Sequence, residues 1–278
     1  MREQDFRRED ATYVYAVVPG AFANELGPIG LGGATVRALS CGDIAALIHD
    51  CPAEPFSGDG ESIMEFVSVH NDVVSRAWSQ TGSILPMRFG VIVKPDDSHT
   101  ADENVHRWLE EEKAYFKIKL DELRDKVELG VQLLWDTDVV AVSLAECSDE
   151  VRALTAAIAG MSPGAAYLQR HKLAESIKRE LERKAVGDYA ACYETLSRHA
   201  DGIHVNKPRK REGKTMIANL ALLARKDKVE EIGAALGAFS EEDGVEVRFT
   251  GPWPPYTFAA IPVAGESGRP EVDALHAG

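Results

Sequence analysis

The segment Val127–Trp135, VELGVQLLW, decides the fold class, because apolar residues occupy every second position along it. A period of two is typical of a β-strand that buries one face and turns the other outward. The apolar positions are Val127, Leu129, Val131, Leu133 and Trp135. This segment therefore predicts a half-buried strand, and the chain on either side of it supplies the rest of two domains.

Downstream of this strand the pattern alternates between helix and strand. Ser148 can cap a helix that runs to Gly160, and Pro163 suits the first position of a long helix that follows. The remaining predicted elements are a turn at Asp136–Asp138, a short strand in VVAVSL (139–144), a buried strand in TMIANLALLA (215–224), a helix over about 227–239 and a strand in VEVRFTG (245–251). The order strand, helix, strand, helix, strand suits a ferredoxin-like sandwich with long helices.

Upstream, the sequence predicts a second α+β region. TYVYAVVP at 12–19 is rich in β-branched and aromatic residues, which favour strands. The runs ATVRALS and IAALIH, separated by Cys41-Gly42-Asp43, predict a hairpin. An apolar stripe from Ile63 to Trp78 has helical spacing, and a second helix is predicted from Asp102 to Leu123 with an extended segment, SILPMRFGVIV, between the two.

The fold class is therefore α+β with two domains, each a small mixed or antiparallel sheet covered by helices. We expect an N-terminal domain over residues 12–125 and a ferredoxin-like C-terminal domain over 126–262. The charged residues 1–11 are predicted to be a disordered tail, and residues 263–278 a flexible one.

Charge and composition narrow the classes of function. The chain has 278 residues and a formal net charge of −14, which disfavours nucleic acid and anionic membranes as partners. No apolar run is long enough to span a membrane, and the charged first residues do not form a secretory signal, so a cytoplasmic protein is expected. The four cysteines form no CxxC pair and show no metal-finger spacing, so neither a metal nor another cofactor is predicted.

Known catalytic motifs are also missing from the sequence. It contains no GxSxG, P-loop, HExxH or EF-hand pattern, and Gly30-Leu31-Gly32-Gly33 lacks the third glycine of a dinucleotide loop. His70 falls on the apolar stripe of its helix, where a histidine at the edge of a core commonly hydrogen-bonds a backbone carbonyl. These observations favour a protein without catalytic residues.

The block GPWPPYTF at 251–258 is the most distinctive piece of surface chemistry. Pro252, Pro254 and Pro255 fix the backbone and remove amide donors, so the block must leave a strand at a sheet edge. The rings belong to Trp253, Tyr256 and Phe258. They either pack onto their own domain or form a rigid aromatic surface that docks another protein.

Two further features have alternative interpretations. Arg88 stands alone among the apolar residues of LPMRFG at 85–90, which favours a structural ion pair over a partner contact. The run KPRKREGK at 207–214 includes Arg209, Lys210 and Arg211 and is the one basic run of an acidic chain. A solvated loop is the favoured interpretation, and docking to an acidic protein partner is the other.

Six blocks occur in this order along the chain: YVYAVVP, LPMRFGVIV, VELGVQLLWD, SPGAAYLQRHKLAE, MIANLALLARKD and GPWPPYTF. Their succession resembles the gas vesicle protein GvpF/GvpL family, and the resemblance covers roughly residues 12–260. It implies a two-domain α+β fold with a ferredoxin-like C-terminal domain. It also implies a minor component or accessory factor of gas vesicles that contacts the small hydrophobic shell protein, without catalytic residues.

The sequence thus predicts a non-enzymatic gas vesicle assembly protein, located in the cytoplasm and at the vesicle. Its expected partners are the shell protein and other accessory proteins, and its predicted partner-binding residues are those singled out above: Trp253, Pro254, Pro255, Tyr256, Phe258, Arg88, Arg209, Lys210 and Arg211. The alternative is a small-ligand-binding or enzymatic α+β protein with a pocket near LPMRFG.

Overall fold

The computed structural model describes residues 10–22, 26–209 and 211–261, and the chain divides into two compact units. The first unit contains the described residues up to Asp125 together with those from Pro254 to Ile261. The second unit is Lys126–Trp253. This division differs from the predicted domains in one respect, since residues 254–261 return to the first unit.

The first unit is built on an antiparallel sheet of five strands. They are β1 (Asp10–Pro19), β2 (Arg37–Cys41), β3 (Ile44–Pro52), β4 (Leu85–Pro86) and β5 (Ile92–Val93). The order is β2-β3-β1-β4, and β5 also pairs with β1. Strand β1 begins at Asp10, two residues before the predicted start, and the rest of the predicted N-terminal tail lies outside the described residues, as does the predicted tail at 263–278.

Three helices accompany this sheet: α1 (Gly60–Thr81), α2 (Ala101–Glu111) and α3 (Lys113–Glu122). The predicted end of α1 at Gly82 is confirmed, and the left-handed φ of +67° at this residue explains why a glycine stands there. The single helix predicted over residues 102–123 is wrong, because the chain breaks at Glu112. Across this break the ring centroids of Trp108 and Phe116 lie 4.9 Å apart, although the axial rise over eight residues of a straight helix is about 12 Å.

The second unit has an antiparallel sheet of four strands. They are β6 (Lys126–Trp135), β7 (Gly202–Val205), β8 (Thr215–Arg225) and β9 (Val245–Trp253), in the order β7-β8-β6-β9. Helices join β6 to β7 and β8 to β9, which gives the ferredoxin-like order of elements. The alternation predicted for β6 is confirmed, since Val127, Leu129, Val131 and Leu133 are fully buried.

The helices of this unit are α4 (Thr137–Cys147), α5 (Asp149–Ala159), α6 (Pro163–Ser197) and α7 (Val229–Gly237). The Ser148 cap and the start of α6 at Pro163 are confirmed. The strand predicted over residues 139–144 is wrong, because that segment lies in α4. The Asp136 side chain accepts the N–H of Val139, and Val140 is buried, so a cap and packing outweigh the strand preference of valine.

The fold class is mixed α+β with two antiparallel sheets, as predicted. Among the described residues, no helix combines the length and the apolar character needed to cross a membrane.

Candidate interaction surface

The two faces of the second sheet differ in character. The buried residues of β6 share a face with Phe249, which lies opposite Val131 on β9 and beneath Gly233 of α7. The other residues of β6 point the opposite way, because successive side chains of a strand alternate. Lys126, Glu128, Gly130 and Gln132 are all half-buried. We call the side on which they lie the outer face.

Trp253 stands on this outer face at the end of the edge strand β9. It is the register partner of Glu128, and directly opposed residues of an antiparallel pair point to the same side. Its side chain is 54% exposed, which is unusual for a tryptophan. Gly251 has a φ of +115°, and a Cβ there would lie 2.8 Å from the carbonyl oxygen of Glu128, so only glycine allows the strand to end in this way.

The residues of the aromatic block that follow Trp253 belong to the first unit. Pro254 and Pro255 are buried, and Tyr256 and Phe258 are half-buried in the first unit. The Tyr256 hydroxyl donates a hydrogen bond to Oδ1 of Asn71 at 2.9 Å. Residues 254–258 therefore pack onto their own unit, and Trp253 is the most exposed ring of the block.

The basic run lies along the outer face of β6 and β8. Nδ2 of Asn219 donates to the carbonyl oxygen of Lys207 at 2.9 Å, and the guanidinium of Arg211 donates to Oε1 of Gln132 at 3.3 Å. Arg209 is exposed, and its backbone N–H approaches the sulfur of Met216. Lys210 lies outside the described residues. The predicted solvated loop is thus held to the sheet at two places.

Ion pairs fix the far end of this run. The ammonium of Lys214 and the guanidinium of Arg248 both hydrogen-bond to the carboxylate of Glu246, and Lys214 is the larger of the two influences. They lower the pKa of Glu246 to about 2, so this carboxylate stays charged at any physiological pH.

The arrangement places an aromatic side chain and polar groups on one sheet face. On β9, Trp253 lies opposite Glu128 and Thr250 lies opposite Gly130. Gln132, four residues after Glu128 on β6, accepts the hydrogen bond from Arg211. Four residues of strand span about 13 Å. We call the set Trp253, Thr250, Glu128, Gln132 and Arg211 the outer-face patch.

Sequence reasoning identified Trp253 and Arg211 but missed the other three residues of this patch. Glu128 and Gln132 were visible as the polar positions of the alternating strand. Nothing in the sequence showed that Thr250 would lie over Gly130, where a Cβ would come within 2.5 Å of its hydroxyl oxygen. The glycine makes room for that threonine.

Arg88 does not behave as the favoured interpretation requires. It is exposed, and among the described residues none forms an ion pair with it. The favoured interpretation, a structural ion pair, is therefore wrong for the described residues, because the chain turns outward between the buried Met87 and Gly90, whose φ is +91°.

His70, by contrast, is fully enclosed in the first unit. Its Nε2–H donates to the carbonyl oxygen of Met87 at 3.0 Å, and Nδ1 accepts from the Tyr13 hydroxyl at 2.9 Å. That hydroxyl in turn accepts the N–H of Gly90. The predicted bond from His70 to a backbone carbonyl is confirmed, and the ring is only 1% exposed.

Burial shapes the protonation of this aromatic cluster. Desolvation lowers the pKa of His70 and that of His49 to about 4 each. It also raises the pKa of Tyr15 to about 12. At neutral pH these rings are uncharged, and each packs as a core group; His70 and Tyr15 also form hydrogen bonds.

Two shallow depressions lie in the second unit. One, of about 390 Å³, is lined by residues of α4, α5 and α6, including Cys147, Asp149 and Arg183. The other, also about 390 Å³, is lined by α4 and Asp243. Neither includes the LPMRFG segment, where the alternative interpretation placed a pocket.

Comparison with known proteins agrees with this architecture. Residues 11–260 match the family described as gas vesicle synthesis protein GvpL/GvpF. Gas vesicle protein L2 of Halobacterium salinarum is 31% identical over 264 residues, covering 90% of this chain and 91% of that protein. Gas vesicle protein L1 of the same organism is 28% identical over 271 residues, covering 92% and 95% respectively.

The crystal structure of the gas vesicle protein GvpF from Anabaena sp. PCC7120 superimposes with a TM-score of 0.70. It covers 91% of this chain and 100% of that one at 18% identity, so this likeness concerns the fold. The family match over nearly the whole chain and the relative at 31% identity together establish that the chain belongs to the GvpL/GvpF family of gas vesicle proteins.

Proposed function

We propose that this chain is a non-enzymatic assembly factor that contacts the hydrophobic gas vesicle shell protein in the cytoplasm and keeps it competent for nucleation. Membership of the gas vesicle family supports the role in assembly. The observation that carries the proposed mechanism is the exposed ring of Trp253, held on the outer face at the end of an edge strand.

The chemistry of the outer-face patch suits such a partner. A shell subunit that exposes apolar surface aggregates through it unless another molecule covers that surface. Trp253 offers a large apolar area with few rotatable bonds, so little entropy is lost when it docks. Glu128, Gln132 and Arg211 supply a polar rim that keeps the patch hydrated when no partner is bound.

The remaining predicted contacts take secondary parts in this proposal. Arg209, Arg211 and, by sequence, Lys210 attract acidic segments of the shell protein or of other accessory proteins. Arg88, an exposed cation of the first unit, serves the same purpose on a second partner. Pro254, Pro255, Tyr256 and Phe258 hold the end of the aromatic block in the first unit.

The experiment is a capture assay in cells that express the gas vesicle cluster. The full-length chain is purified by an epitope at one terminus, and the co-purified shell protein is quantified by mass spectrometry. We expect the shell protein to be enriched with the wild-type chain and depleted with Trp253→Ala. Failure of the wild-type chain to enrich the shell protein would refute the proposed contact.

A second readout separates assembly from mere binding. Cells whose only copy of the protein carries Trp253→Ala should form fewer vesicles, counted by electron microscopy, at an unchanged level of the variant protein. Normal vesicle numbers in cells that lack the protein altogether would refute the assembly role.

A further inference from the structure

Three side chains with metal-binding atoms meet in the first unit. They are Cys41, His106 and Glu110, and the sulfur, a ring nitrogen and a carboxylate oxygen all lie within 4.8 Å of one another. Cys41 is buried at the end of β2, whereas the side chains of His106 and Glu110 are 41% and 62% exposed.

The local structure explains why these atoms converge. His106 and Glu110 are four residues apart on α2, so they share one face of the helix, and Nδ1 of His106 lies 3.9 Å from Oε2 of Glu110. Helix α2 packs against β2, whose last residue is Cys41. The sequence search missed the cluster because 65 residues separate Cys41 from His106, whereas metal-finger patterns require ligands that are close in sequence.

We propose that Cys41, His106 and Glu110 form a binding site for a divalent cation of the zinc class, with water completing the coordination. A thiolate, an imidazole and a carboxylate are the three ligand types that Zn²⁺ takes from proteins. Three protein ligands plus one water is a recognised zinc arrangement.

The geometry requires little rearrangement. Ligand atoms of a tetrahedral zinc site are about 3.5 Å apart, as follows from bonds of about 2.0–2.3 Å. The present separations are up to 4.8 Å, and the exposed side chains of His106 and Glu110 can rotate to close the difference. Because these two side chains are exposed, the cation can reach the site directly from solvent.

Two nearby features shape the affinity. Burial raises the pKa of the Cys41 thiol, so the cation must displace a proton and should bind more tightly as the pH rises. The ammonium of Lys113 lies beside Cys41 and lowers that pKa in part, but it also repels a dication. A nucleophilic role for the cysteine fits less well, because its side chain is buried and substrates could not reach it.

The test is titration of the tag-free, full-length chain with Co²⁺, which substitutes for Zn²⁺ and reports its ligands by absorption. We expect saturation at one ion per chain with a near-ultraviolet thiolate-to-cobalt charge-transfer band that Zn²⁺ abolishes. Cys41→Ser should remove this band, and Cys147→Ser, which changes an exposed cysteine, should keep it. His106→Ala and Glu110→Gln should each weaken binding by at least about 10-fold.

The variants make the outcome decisive. Absence of the charge-transfer band in the wild-type chain, or its loss in Cys147→Ser, would overturn the proposal. If Cys41→Ser does not fold, as judged by circular dichroism, the exposed positions decide, and unchanged Co²⁺ affinity in both His106→Ala and Glu110→Gln would overturn it equally.

Discussion

Trp253 is the register partner of Glu128 across the β6–β9 pair, so the indole ring and the carboxylate lie on the same face of the second sheet. A large ring in this position is more than half exposed and is held by a strand rather than by a loop. Docking onto it therefore requires little ordering of the backbone, which is the situation in which one aromatic residue dominates binding.

Replacing Trp253 with alanine should weaken capture of the shell protein by about 30-fold, equivalent to about 2 kcal/mol for an aromatic hot spot. The measurement is the capture assay described above, with circular dichroism to confirm the fold. Tyr167→Ala is the matched control, since Tyr167 is 65% exposed on α6 in the same unit. Equal losses for the two variants would argue against a specific surface.

Charge reversal in the basic run should weaken capture of the shell protein in a way that depends on salt. The double variant Arg209→Glu/Arg211→Glu is expected to reduce capture several-fold at low salt, and the difference should shrink as ionic strength rises, because exposed charges are screened. Arg76→Glu, at an exposed arginine of the first unit, should leave capture unchanged. A salt-independent loss would indicate that the run acts by packing and not by charge.

The buried histidines should make stability depend on pH. The pKa of His49 is lowered by desolvation to about 4 in the folded chain, against 6.5 in the unfolded chain. Between these values the unfolded chain binds a proton that the folded chain does not. The free energy of unfolding is therefore highest above pH 6.5 and decreases as the pH falls toward 4.

For His49 alone, the free energy of unfolding should decrease by about 2 kcal/mol between pH 7 and pH 5. His49→Phe should remove that share of the pH dependence, as measured by urea unfolding at the two pH values. Phenylalanine suits the site, because His49 packs against Tyr13, Tyr15 and Phe56 and its Nδ1 has no hydrogen-bond partner in the described part of the chain. An unchanged pH dependence would show that His49 is not the group that titrates.

The hydroxyl groups of Tyr13 and Tyr15 on β1 should contribute unequally to the free energy of unfolding. The Tyr13 hydroxyl bonds both His70 and Gly90, whereas the Tyr15 hydroxyl accepts one bond, from the N–H of Leu31. Tyr13→Phe leaves Nδ1 of the buried His70 and the N–H of Gly90 without this partner, so it should cost about 2–4 kcal/mol, against about 1–2 kcal/mol for Tyr15→Phe. Urea unfolding at pH 7 measures both, and a larger cost for Tyr15→Phe would contradict the bonding pattern.

The close approach of Thr250 to Gly130 gives a coupled pair. Gly130→Ala alone should destabilise the second unit by about 1–3 kcal/mol, because the new methyl group meets the threonine oxygen. In a Thr250→Ala background the same change should cost far less, since the next atom is 3.9 Å away. A double-mutant cycle in urea measures this coupling, and additive costs would contradict it.

Much of the fold follows from local pattern. Helix α1 and strand β6 were predictable because each repeats apolar residues with a clear period, and Gly82 and Pro163 mark helix ends by backbone geometry alone. The segment 139–144 was not predictable in this way. Its valines favour a strand, and only the cap from Asp136 and burial of Val140 in the folded unit turn it into helix.

The site was predictable only in part. Trp253 stood out by its chemistry, yet the sequence did not distinguish it from Tyr256, which bonds Asn71 across 185 residues. The break at Glu112 and the meeting of Cys41 with α2 likewise depend on contacts between distant segments. Periodicity describes one element at a time, so it carries no information about which elements meet.

The return of residues 254–261 to the first unit has a consequence for biogenesis. The second unit interrupts the first, and its entry at Lys126 and exit at Trp253 lie at neighbouring ends of β6 and β9. During vectorial synthesis on the ribosome, the first unit must wait for the whole interruption to emerge before the hydroxyl of Tyr256 can reach Asn71. Maturation of the earliest-made part of the chain is therefore completed by its last described residues.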